Sequence, residues 1–378
     1  MAGGGSIIIT YINIQALRAI AALIVVWAHV RELFPDLAII KYLPSGLAGV
    51  DLFFVISGFI MVVSTQSRAI GPLEFLANRW GRLAPIYYIV TIFVFLLAAF
   101  APAIMKSSRP DADSLLYSLL FIPHLKSADR IYPLYYLGWT LNYEMFFYAT
   151  LALGMRIFRT WRYVATAVFI CALAALGFAM DDLFDESIVL YAFTRSITLD
   201  FVLGIAIALS IPALTRIGHN RVLAGLALVL GLVALAVAGR FVPHFDERLI
   251  APAGDTILRY GIPAALIVAS AVALELNGAI IKNRLVLLIG DASYSLYLTH
   301  FFVIAVAIMA SNRLGLGTPA RIGVAVAAYA ASIAVAIGFY KMVEQSLNRI
   351  VRARLRALFH RDTHRRHDPP AGVVDVTV

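Results

Sequence analysis

The chain is predicted to be an all-α polytopic membrane protein, a bundle of about ten transmembrane helices with both termini cytoplasmic. Three observations predict it. First, its 378 residues are 61% hydrophobic and 14% charged, whereas soluble domains average about 45–50% apolar and 25% charged; mean hydropathy is +0.86. Second, apolar stretches long enough to cross a bilayer recur from end to end. Third, lysine and arginine concentrate in alternate connections.

In chain order the expected spans are 12–33, 46–65, 83–104, 134–155, 162–180, 188–210, 221–239, 256–275, 285–310 and 319–342. The first is apolar apart from Arg18 and His29. The fourth, sixth and ninth carry ionisable or amide side chains, so they must face other helices or a cavity. The longest connection, 105–133, contains an apolar piece at 115–123 that suits a short interfacial or re-entrant helix. No connection is long enough for a separate soluble domain, and no inverted repeat of the transporter kind is visible. The chain therefore divides into a transmembrane domain, 1–345, and a basic cytoplasmic tail, 346–378. That tail serves either as a solvated topology anchor or as a surface for anionic headgroups.

Orientation rests on the basic residues. With the N-terminus inside, seventeen Lys and Arg fall in cytoplasmic connections and the tail, against ten on the other side. The acidic connection holding Asp181, Asp182, Asp185 and Glu186 falls outside. The net charge of +9 thus reflects membrane topology rather than nucleic-acid binding. Cys171 is the sole cysteine, which excludes an intrachain disulfide and a multi-cysteine metal site; no metal is expected. No cleavable signal peptide is expected ahead of the first span, and the start at residues 3–6 reads as a flexible segment.

Ionisable groups inside spans usually mark a functional path. Arg18 and His29 are eleven residues apart, about 16 Å along a helix, so one lies in the inner half of the first span and the other near its outer end. Asn78-Arg79-Trp80-Gly81-Arg82-Leu83-Ala84-Pro85 precedes the third span. Its arginines, three apart, share one face at what reads as a helix N-terminus, and paired guanidiniums match phosphate geometry. Positive-inside anchoring explains the same pair, and spacing alone favours it. Asp51 sits at the outer boundary of the second span, where it either orients His29 or caps the helix. Ser57-Gly58 reads as a close helix-packing point rather than a nucleophile.

Glu144 lies near mid-membrane, where a lone carboxylate is costly and needs a partner; Arg18 and Arg195 are the candidates. His300 is more simply a hydrogen-bonded structural histidine than a ligand. Lys341 and Glu344 read as an exposed ion pair. Tyr135, Tyr136, Trp139 and Tyr143 either stack a sugar or form an interfacial belt.

Together these residues resemble the membrane acyltransferase-3 family, and within it the branch linked to exopolysaccharide production. The resemblance runs through residues 13–29, 49–59, 79–85, 139–148, 290–300 and 343–344. Each block alone is weak; six in family order are specific. The middle, about 160–280, carries little recognisable motif. Asn13 and Gln15 depart from a common family form, which uses aspartate and glycine there, and resemble the exopolysaccharide branch instead.

The resemblance implies transfer of an acyl group, usually acetyl, from cytoplasmic acyl-coenzyme A to a hydroxyl of an exopolysaccharide, lipopolysaccharide or lipid-linked saccharide, at a bacterial inner membrane. It implies Arg18 and His29 as the paired functional residues, Arg79 and Arg82 as the arginine pair of the third span, and Glu144 as the acid of the Trp-Thr-Leu block. On this reading acetyl-CoA is the donor and is held by Arg79, Arg82 and Arg18. His29 is the base, and Glu144 or Asp51 orients it. Direct transfer and an acetyl-histidine route both remain open. The expected partners are the donor, a glycan or glycolipid acceptor, membrane lipids and proteins of polysaccharide assembly. Two other classes fit intramembrane charge: a transporter or flippase for a polar or lipid-linked solute, and a non-catalytic subunit of a polysaccharide assembly complex.

Overall fold

A computed structural model describes residues 11–34, 46–66, 70–101, 111–127, 130–180, 186–217, 220–238 and 256–359. The start at 3–6, most of the acidic connection, 181–185, and the tail at 360–378 lie outside them. The order is α1 (Ile12–Val30), α2 (Gly46–Gln66), α3 (Pro72–Phe100), α4 (Ala112–Leu119), a two-stranded antiparallel ribbon of β1 (Leu125–Ser127) and β2 (Arg130–Ile131), α5 (Trp139–Ile157), α6 (Arg162–Ala179), α7 (Ile188–Phe193), α8 (Leu199–Leu209), α9 (Ile211–Ile217), α10 (Arg221–Ala238), α11 (Ile262–Leu276), α12 (Arg284–Asp291), α13 (Ser293–Arg313), α14 (Thr318–Phe339) and α15 (Gln345–Phe359).

Eight helical stretches in the described residues are long and apolar enough to cross a membrane, so this is an integral membrane protein. The fourth and sixth expected spans are not among them. The fourth corresponds to α5, a continuous helix of nineteen residues whose apolar character is lowered by Asn142 and Glu144. The sixth is broken between α7 and α8 at Thr194–Arg195, where Arg195 has extended backbone. The apolar piece at 115–123 is partly helical: α4 is capped by the Asp111 carboxylate, which accepts from the backbone N–H groups of Asp113 and Ser114.

The third span starts earlier than its apolar run suggests. Pro72 occupies the first turn of α3, where its missing N–H costs nothing, and the helix runs through the polar stretch to Phe100. Arg79 and Arg82 are therefore interior to α3. They do not sit at a helix N-terminus, and the macrodipole contributes nothing to an anion there.

α2 is the most enclosed span, with 78% of its core window buried; α6, α10 and α14 have 22% and turn leucines, valines and isoleucines outward. Small residues let the enclosed helices approach closely. A Cβ on Gly58 would lie 2.2 Å from the Phe201 carbonyl oxygen, and one on Gly204 would lie 2.1 Å from that of Val55. Gly58 is thus the packing point expected. Gly204→Val is expected to destabilise the protein by about 3 kcal/mol, because neither backbone can retreat from the added carbons. A thermal melt in detergent checks this; a wild-type midpoint would show that the α2–α8 crossing is not tight.

Candidate active site

One cavity of about 110 Å³ lies among α1, α2, α3, α5 and α13. Its wall includes Arg18, Ser57, Arg82, Glu144, Tyr294 and Tyr297. Five sequence blocks that are far apart along the chain therefore converge on one space. The sixth reaches it from behind. The helix after α14 widens to a π-turn over Tyr340–Glu344, a distortion common at functional sites. It turns Glu344 inward, where Glu344 accepts a 2.5 Å hydrogen bond from the Ser295 hydroxyl and interacts electrostatically with Arg82 and Arg18. The expected exposed pair with Lys341 is not formed: Lys341 faces outward, and Glu344 is buried.

Each wall residue is placed by its helix. Arg18 follows the α1 face of Gln15; its Nη1 donates to Gln15 Oε1 at 3.2 Å, and Gln15 Nε2 donates to Asp291. Glu144 lies within electrostatic reach of both arginines, beside Ser57 and Tyr148 in the wall. Ser57 is thus a wall residue of the site as well as a neighbour of the Gly58 crossing. Tyr294 donates to the Leu83 carbonyl at 2.7 Å and Tyr297 to that of Leu137 at 2.8 Å, which fixes two rings against α3 and the start of α5. Arg18 and Arg82 thus share one buried region with Glu144 and Glu344, each acid within electrostatic reach of both guanidiniums.

The structure separates the arginine pair. Arg82 lines the cavity, whereas Arg79 Nη2 donates to Ser64 Oγ at 3.1 Å and its guanidinium lies 5.7 Å from the Phe75 ring. Arg195, one of the two expected partners of Glu144, is elsewhere: it donates to the Tyr191 carbonyl at 3.0 Å and stacks 4.0 Å over the Tyr191 ring. There it satisfies backbone left open by the α7–α8 break.

His29 lies beyond the cavity wall, eleven residues along α1 from Arg18. Its Nδ1 is 3.0 Å from the Val25 carbonyl. A proton on Nδ1 donates to that carbonyl and leaves the Nε2 lone pair for chemistry. His300, fully buried, makes the same bond to the Leu296 carbonyl at 2.8 Å, and the two rings meet edge to face with centroids 5.1 Å apart. Phe301 flanks His29 at 5.9 Å. The carboxylate within electrostatic reach of His29 is Glu32, one turn on; the His-x-x-Glu spacing was the available signal for it. Asp51 instead faces Asp200 of α8 with the carboxyl groups in hydrogen-bonding reach.

A second recess, about 460 Å³, is lined by Asp111, Tyr117, His124 and the start of α7 with Ser187 before it. None of the six blocks reaches it. Burial pushes His124 below its usual range, and both ring nitrogens are engaged, by Ser114 Oγ at 2.9 Å and the Ile122 carbonyl at 3.0 Å. His124 is a wall group rather than a base.

The chain is 36% identical over 317 residues to the exopolysaccharide production protein ExoZ of Rhizobium meliloti, covering 82% of this chain and 92% of that one. It is 27% identical over 317 residues to the O-acetyltransferase OatA of Staphylococcus aureus, covering 77% of this chain and half of that longer protein. No solved structure matches. The acyltransferase domain of the acyltransferase-3 family matches residues 11–341, a range that contains Arg18, His29, Arg82, Glu144 and the wall tyrosines Tyr148, Tyr294 and Tyr297, and the chain belongs to that family.

Proposed function

We infer that the protein transfers an acetyl or other short acyl group from cytoplasmic acyl-CoA to a hydroxyl of an exopolysaccharide, lipopolysaccharide or lipid-linked saccharide, in a bacterial inner membrane. The convergence of distant sequence blocks on one arginine-bearing cavity carries this reading. The site falls into two parts along α1, a charged cavity at Arg18 and a histidine about 16 Å farther on, which suits a donor with phosphates at one end and a thioester at the end of a long arm. Arg82 and Arg18 attract the anionic part, with Arg79 at the α2 side of α3. Basic residues cluster on the membrane face of Arg79 and Arg162, which favours that face as cytoplasmic.

In the transfer step His29 Nε2 takes the proton of the acceptor hydroxyl as its oxygen bonds to the thioester carbonyl carbon. The carbon–sulfur bond breaks, and His29 returns the proton to the departing sulfur. Charge on the carbonyl oxygen is offset by fixed positive groups. His300 and Phe301 hold the His29 ring in place; Glu144 acts on the arginines, and Asp51 on the α2–α8 contact.

Calorimetry with acetyl-CoA tests the donor site without knowledge of the acceptor. Saturable binding is expected, with Arg79→Ala/Arg82→Ala weaker by at least about tenfold, since hydrogen bonds to charged groups contribute roughly 1.5–3 kcal/mol each. Arg82→Ala alone is expected to account for most of the loss. No binding by folded wild-type protein would turn the reading toward transport or a non-catalytic role.

A further inference from the structure

The C-terminal helix α15 lies beyond the family match, which ends at residue 341, yet it packs against α3 in the middle of the arginine segment. A Cβ on Gly81 would lie 2.6 Å from Val351 Cγ1 and 3.2 Å from Leu355 Cδ1. With Leu347, which packs on the main core, these residues form one stripe at four-residue spacing. Val351 and Leu355 of that stripe meet α3. Ile350, 51% exposed, and Leu358, 73% exposed, extend this apolar face uncovered. A different face carries Arg349, Arg352 and Arg356, all exposed. Arg354 lies between Ile350 and Leu358, and α15 contains no acidic residue.

A soluble surface gains nothing from uncovered Ile350 and Leu358 beside an arginine face. A helix lying in the plane of a membrane surface uses both, with apolar side chains among acyl chains and guanidiniums among headgroups. Its depth is right. α15 continues directly from the membrane-crossing stretch that ends in the π-turn, and it docks beside Trp80, an exposed aromatic at the same end of the bundle as Arg79 and Ser64. Exposed tryptophans favour that level.

We propose that α15 is an anionic-phospholipid binding helix: Arg349, Arg352 and Arg356 take headgroup phosphates, and Ile350 and Leu358 insert beneath them, on the membrane face that carries Arg79 and Arg82. Each arginine near an anionic surface favours the bound state roughly fivefold. Replacing three should therefore cut the immersed population on the order of a hundredfold.

The full-length protein, with Cys171→Ser and Ala357→Cys carrying an environment-sensitive fluorophore, is reconstituted in phosphatidylcholine vesicles with or without phosphatidylglycerol. Emission is expected to shift to the blue with phosphatidylglycerol and to revert in high salt. In Arg349→Gln/Arg352→Gln/Arg356→Gln the shift should be lost, while size-exclusion behaviour is unchanged. Emission independent of lipid charge would overturn the proposal and leave the arginine face solvated. A shift produced in neutral vesicles by inorganic phosphate alone would overturn it in favour of a soluble anion. Acyl transfer is not read in any arm, so the outcome is independent of the chemistry at the cavity.

Discussion

His29→Ala is expected to lower acyl transfer by two to four orders of magnitude, the usual contribution of a positioned base, and to leave acetyl-CoA affinity within about twofold, because uniform donor binding does not depend on a group used in the transition state. The geometry gives both halves of this expectation. His29 is about 16 Å along α1 from Arg18 and is not part of the cavity wall, so its loss leaves the arginine network intact. Its Nδ1 is tied to the Val25 carbonyl, which fixes the ring so that Nε2 is the available nitrogen. Acetyl content of extracted glycans in a complemented deletion strain gives the first number, and calorimetry gives the second. Near-normal acetylation with His29→Ala would remove it as the base. His300→Ala separates the two histidines. His300 holds the His29 ring by edge-to-face contact, and its loss should reduce transfer less than loss of His29. A larger effect at His300 would exchange their roles.

Much of this site was legible in the chain, because membrane burial makes polar residues conspicuous. Arg18, His29, Arg82 and Glu144 stand out against apolar surroundings by cost alone. Their convergence was implied only by resemblance, and it became visible in space. What stayed hidden depends on local geometry that composition does not encode. The inward turn of Glu344 needs a π-turn at Tyr340–Glu344, a register change with no marker in the residues themselves. Lys341 and Glu344, three apart, therefore looked like a surface pair. Hydropathy reports burial in lipid rather than helix extent, so α3 was cut short at its polar first turns, and the fracture at Arg195 passed inside an apolar run. Asp51 was read against its neighbour in sequence level, His29. The small residues of the α2–α8 crossing bring it to Asp200 instead.

Arg18→Ala is expected to reduce transfer about 10²–10³-fold, the scale for losing one fixed donor to developing charge, and also to destabilise the fold by roughly 3–5 kcal/mol, because it leaves buried carboxylates short of a partner. Glu144 and Glu344 both interact with Arg18 and Arg82, so removing one guanidinium leaves Arg82 to serve two acids. Activity loss in the alanine variant thus has two causes, and Arg18→Lys separates them. Lysine restores the charge and much of the stability, but its ammonium cannot present the planar fork that bonds Gln15 and faces the cavity at once. The melting midpoint should therefore recover well beyond half of the alanine deficit, while transfer recovers far less. If Arg18→Lys regains both together, Arg18 is a counter-charge for the acids. If it regains stability alone, the guanidinium itself acts on the donor, and the pairing of Arg18 with His29 along α1 reflects the length of what they hold between them.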